Sequence, residues 1–133
     1  MSLIKIVIAD DEKTARQALK RSLVKKHTIF EAENGAQAIK LINEEAPDIV
    51  LLDINMPKKS GFEVLEEISK LDINPICIMM TAYGSERVAV EALKKGAWDY
   101  IAKPFQLDEL RTLIRNASEQ IFLQRENKAL KDD

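Results

Sequence analysis

Five short apolar runs recur along the chain, separated by segments in which apolar positions return every three or four residues. The runs Ile4–Ala9, Thr28–Ala32, Ile49–Leu52, Ile76–Met80 and Tyr100–Ala102 are rich in β-branched side chains and lack strict alternation. That is the pattern of strands covered on both faces. Between them, Ala15, Ala18, Leu19 and Leu23 share one helical face, as do Ala38, Leu41 and Ile42, and then Phe62, Leu65 and Ile68. Val88, Ala92 and Lys95 mark a weaker fourth stripe, and Leu110, Leu113, Ile114 and Ala117 a fifth. Breakers stand between the elements: Asn34-Gly35, Pro47, Gly61, Pro75, Gly84, Gly96 and Pro104. Five β-α units in succession predict an α/β fold, with one five-stranded parallel sheet, right-handed crossovers and helices on both faces.

Open sheets of this kind bind their ligands outside the carboxyl ends of the strands. The residues found there are Asp10-Asp11, Glu33-Asn34, Asp53, Thr81 and Lys103. Singly, each has an ordinary explanation. Asp10 or Asp11 can cap the following helix, Glu12 suits its first turn, and Thr81 can cap the next one. Asp53 can be a turn residue and Lys103 a surface lysine. Together they are harder to dismiss, because the fold gathers them at one edge. Carboxylates about 4 Å apart at an effective dielectric near 20 repel by roughly 4 kcal/mol per pair, so a proton or a cation must relieve them. The donors are oxygens, with no His or Cys at these strand ends. Such a set favours Mg²⁺, with Mn²⁺ as a substitute, over zinc. A hydroxyl and an ammonium complete what a phosphoryl anion needs, with a carboxylate as nucleophile.

Composition narrows the field further. In 133 residues, 20 Lys and Arg face 22 Asp and Glu, a formal net charge of −2. That balance predicts neither nucleic-acid binding by this chain nor a membrane surface. The lysine pairs at 25–26, 58–59 and 94–95 are scattered and read as solvated faces. Cys77, the one cysteine, lies in the apolar run ICIMM and reads as core. No stretch is long and apolar enough to span a bilayer, and a cytoplasmic location is expected.

With these residues in view, IADD at 8–11, LLDINMP at 51–57, MTA at 80–82 and DYIAKPF at 99–105 resemble the receiver domain of bacterial two-component response regulators. The likeness covers residues 3–118. It implies a flavodoxin-like, CheY-like fold of strand order 2-1-3-4-5. It also implies that Asp53 accepts a phosphoryl group from a sensor histidine kinase. Asp11, Asp53 and the backbone carbonyl of Asn55 would bind Mg²⁺, with Asp10 helping through water. Lys103 would pair with the carboxylate and then with the phosphoryl group, beside a cis bond to Pro104. Thr81 would move toward the phosphoryl group and Tyr100 into the space it leaves, reshaping the face made by helix 85–95, strand 99–102 and the helix from 107. Asn55, Met56, Ala82, Tyr83 and Pro104 would flank the site.

From Leu107 onward the chain has no Gly or Pro, so one helix about 36 Å long is expected. Its core stripe ends near Ile121. Leu123, Asn127 and Leu130 then offer either a short coiled-coil seam or a fraying polar tail, and a homodimer is expected through this helix or the adjacent switch face. The segment 119–133 reads as a helical extension or linker toward a missing effector domain. DYIAKPF followed by a long helix and LQRENKAL is similar to NtrC-type activators that work with the alternative sigma factor. A stand-alone receiver is the first rival. A Mg²⁺-dependent aspartyl phosphohydrolase is the second, and it would want a general acid where Asn55 stands. No Walker A motif is present, so ATP hydrolysis is not expected.

Overall fold

The computed structural model describes residues 4–81 and 86–132, with side chains as far as residue 127. The elements alternate strictly: β1 (Ile4–Ala9), α1 (Lys13–Leu23), β2 (His27–Ala32), α2 (Gly35–Glu45), β3 (Ile49–Asp53), α3 (Gly61–Ser69), β4 (Ile76–Thr81), α4 (Glu86–Lys94), β5 (Asp99–Ala102) and α5 (Leu107–Asp132). The strands form one sheet in the order β2-β1-β3-β4-β5, and every pairing is parallel. The expected α/β architecture is the one observed.

Side chains alternate across each strand, so each central strand feeds two cores. Ile4, Ile6, Ile8, Ile49, Leu51, Ile78 and Met80 meet Leu19 and Leu23 of α1 and Leu110, Ile114 and Ile121 of α5. Val7, Val50, Leu52, Cys77 and Met79 point the other way, onto Ala38 and Ile42 of α2, Val64, Leu65 and Ile68 of α3, and Ala92 of α4. Burial on both faces explains why the sequence shows apolar runs rather than alternation. It also pushes the Cys77 thiol up to about 12, which leaves it inert.

Three local expectations are corrected. In α1, Ala18 is exposed and Arg16 is buried instead, because Arg16, Leu19 and Leu23 fall on the face turned to the sheet. Its guanidinium can go inside only because it finds partners there. In α4 the buried pair is Ala89 and Ala92, while Lys95 lies beyond the helix end and is exposed. Glu12 is the N-cap of α1 rather than a first-turn residue, and its side chain caps nothing. Elsewhere the ends are chemically defined. Asn34 Oδ1 accepts from Gln37 N–H at the start of α2, and Ser60 and Glu63 form a capping box at α3.

At the amino-terminal edge of the sheet, Asp48 ties several elements together. Its Oδ2 accepts from Lys5 N–H at 2.9 Å, and its Oδ1 from Arg125 Nη2 of α5 at 2.7 Å. No helix among the described residues is long and apolar enough to cross a membrane.

Candidate functional site

At the carboxyl edge, β3 and β4 each run one residue farther than the apolar pattern indicates. Asp53 pairs in register with Met80, and Thr81 with Ala102. Both residues are therefore strand ends held by a ladder rather than loop residues, and both are buried. Gly61 lets α3 start against this point: a Cβ there would lie 2.6 Å from the Asp53 carbonyl oxygen. Asp53 Oδ1 accepts from Asn55 N–H at 3.1 Å.

Asp10, just past β1, is fully buried. Its N–H donates to the Ala32 carbonyl at 3.0 Å, and its own carbonyl accepts from Arg16 Nη1 at 2.7 Å. Asp10 Oδ1 accepts from Glu12 N–H at 2.9 Å. So Asp10 does serve the start of α1, as the simple reading proposed, but from two residues before the cap. Its second oxygen faces Lys103.

Lys103 supplies the counter-charge. Its Nζ donates to Asp10 Oδ2 at 2.6 Å and to Asp53 Oδ2 at 3.2 Å, and the bond from Lys103 to Pro104 is cis. Burial works to lower the Lys103 pKa, but the hydrogen bond to Asp10 and the charges of Asp53 and Asp10 outweigh it. The result is a raised pKa and a persistent ammonium. Asp53 is shifted upward, chiefly by burial, with Asp10 adding to the rise. Lys103 and the Asn55 N–H oppose it without cancelling it.

Asp11 is exposed, and one oxygen from each of Asp10, Asp11 and Asp53 lies within 4.8 Å of the others. Three carboxylates thus face one ammonium. The excess negative charge, the all-oxygen donor set and the open side at Asp11 fit a hard divalent cation such as Mg²⁺ or Mn²⁺.

The other candidates are spread around this centre. Thr81 ends the strand next to Asp53, and its carbonyl accepts from Lys103 N–H at 2.8 Å. Asn55 and Pro104 are exposed. Met56 turns away into the apolar cluster under the β3–α3 loop, so its side chain braces the loop from below. Tyr100 stands on the outer surface of β5, 38% exposed. Ala82 and Tyr83 lie outside the described residues. Sequence reasoning missed Arg16. Its signal was faint: a cation spaced i, i+3, i+7 with Leu19 and Leu23.

The family model for the response regulator receiver domain matches residues 6–115. The chain belongs to this family. Among its relatives, the chemotaxis protein CheY of Bacillus subtilis is 41% identical over 112 residues, 83% of this receiver and 93% of CheY. The regulatory protein AtoC of Escherichia coli is 40% identical over 116 residues, which is 85% of this chain but 25% of AtoC. The crystal structure of NtrX from Brucella abortus in complex with ADP superposes with a TM-score of 0.88 at 32% identity. The match covers 97% of this chain and 30% of NtrX. Receiver domains of this kind are signalling modules of two-component systems, and both short and multidomain regulators carry them.

Proposed function

We propose that this receiver takes a phosphoryl group from the phosphohistidine of a sensor histidine kinase onto Asp53, in the cytoplasm, as a switch rather than a turnover enzyme. The observation that carries the reading is the convergence of Asp10, Asp11 and Asp53 around Lys103 at the carboxyl edge of the sheet. Asp53 Oδ attacks phosphorus in line; the P–N bond breaks, a P–O bond forms, and the imidazole leaves with a proton. Asp11, Asp53 and the Asn55 carbonyl would hold Mg²⁺, with Asp10 assisting through water. Bound there, the ion neutralises charge on the transferring oxygens. Lys103 exchanges its carboxylate partner for a phosphoryl oxygen, and the Thr81 hydroxyl takes another.

The added charge of about −2 draws Thr81 and Tyr100 toward the site and reshapes the face of α4, β5 and α5. A full switch from 1:99 to 99:1 needs on the order of 5.5 kcal/mol of differential interaction. The phosphoryl contacts to Thr81 and Lys103 are its source. We assign residues 3–118 to the receiver and 119–133 to a linker toward an effector domain of the NtrC type. The AtoC and NtrX likenesses and the continuation of α5 to Asp132 support that reading. The near-complete overlap with CheY supports the alternative, a stand-alone receiver. Self-association through the face of α4, β5 and α5, or through the end of α5, would couple the switch to output.

The test is incubation with acetyl phosphate, with and without Mg²⁺. Modification should require the ion and disappear in Asp53→Ala. Label retained in that variant rejects the assignment.

A further inference from the structure

Arg16 is the only buried cation among the described residues. It does not touch a carboxylate of the acidic cluster. Nη1 donates to the main-chain carbonyl of Asp10 at 2.7 Å, and Nε lies 3.5 Å from Glu31 Oε1 on β2. The other Glu31 oxygen is 3.4 Å from Lys20 Nζ. That carbonyl belongs to the peptide unit joining Asp10 to Asp11. Because a peptide unit is planar, fixing its oxygen also fixes the nitrogen and Cα of Asp11. The Asp10 N–H is held separately by Ala32 of β2, so the two contacts suspend the β1–α1 loop from β2. Asp11 needs this support. Its side chain is exposed, and no hydrogen bond or ion pair holds it among the described residues.

Resting on the phosphoacceptor reading, we propose that Arg16 is a positioning residue for divalent-ion binding: it clamps the Asp10–Asp11 peptide plane so that the Asp11 carboxylate stays beside Asp53. Charge alone makes the opposite prediction. A guanidinium near the cluster repels a cation, and removing it would tighten binding. A clamp orients ligands, and removing it loosens binding. Losing such an outer partner typically weakens metal affinity about ten- to a hundredfold.

The experiment uses the full chain and Mn²⁺, following free ion by electron paramagnetic resonance and competing with Mg²⁺. Urea unfolding in ion-free buffer runs alongside. Arg16→Met should weaken both ions about ten- to a hundredfold while still unfolding cooperatively. Arg16→Lys should recover part of the loss, since an ammonium can donate one bond to the carbonyl. Glu31→Gln, which keeps the clamp and removes its counter-charge, should lose less than Arg16→Met. A purely structural role would lower the urea midpoint and leave the affinity of the folded chain unchanged. Should Arg16→Met fail to fold, Arg16→Gln is read in its place. Unaltered or tighter binding, with normal uptake by the wild-type chain, overturns this inference alone. A wild-type chain that takes up neither ion overturns the phosphoacceptor reading as well.

Discussion

The two edges of the sheet use aspartate in opposite ways. At the amino edge, Asp48 is one carboxylate with two donors, Lys5 N–H and Arg125, and its needs are met. At the carboxyl edge, two buried carboxylates share one lysine, and an exposed third lies beside them with no hydrogen bond or ion pair among the described residues. The Asp48 arrangement joins β1, β3 and α5 and asks for nothing more. The Asp53 arrangement is short of positive charge, buried enough to feel it, and open on the Asp11 side. Both edges are built on aspartate; the ratio of acids to cations separates them, one to one at Asp48 and three to one around Lys103.

Breaking the carboxyl edge at its lysine gives the largest expected effect. Lys103→Met leaves Asp10 buried without its cation. It should cost about 3 kcal/mol in ion-free buffer, near the lower end for a buried pair because Lys103 is partly exposed. Added Mg²⁺ should recover a larger share than it adds to the wild type, as read by urea unfolding. At the other edge, Asp48→Ala should cost about 1–2 kcal/mol and speed amide exchange across residues 119–127. Removing Arg125, which is exposed, should cost less than about 1 kcal/mol. Asp53→Asn should go the other way and stabilise the ion-free protein, by about 1 kcal/mol. It removes a strained carboxylate while Lys103 keeps Asp10. A lower midpoint in that variant would show that the upper cluster is as satisfied as the lower one.

The smallest effects are in pH, and they too oppose each other. Asp53 has a folded pKa raised above 3.8, so its contribution is full below that value and lost as pH rises through the raised one. His27, at the amino end of β2, is lowered from 6.5 by burial and by Lys26, and its buried Nδ1 has no hydrogen-bond partner among the described residues. Its contribution is full above 6.5 and lost as pH falls through the lowered value. Urea midpoints from pH 4 to 8 should show both slopes. Asp53→Asn should abolish one and His27→Gln the other.

Much of this fold was legible in advance. The apolar runs located all five strands to within a residue; in the central β1, β3 and β4, burial on both faces leaves little choice of side chain, whereas the edge strands β2 and β5 are only partly buried. Topology placed Asp10, Asp11, Asp53, Thr81 and Lys103 at one edge, since parallel strands bring their carboxyl ends together, but it offered Glu33 and Asn34 equally, and Asn34 caps α2. The burial of Arg16 was not legible. A helical stripe that includes a cation reads as a defect until its partners, the Asp10 carbonyl and Glu31, are known. The resemblance implies Met56 beside the site, and the loop after β3 turns its side chain into the core instead. The Asp48 latch was equally hidden, because Arg125 lies 77 residues away along the chain.

The sequence by itself determined the alternation of elements, the two-sided burial of the central strands and the list of acids at their ends. These depend on periodicity and side-chain type, which are local. Only the tertiary structure decided which charges meet. Lys103 reaches Asp10 across 93 residues, and whether a carboxylate is satisfied or left wanting depends on distances set by the strand order.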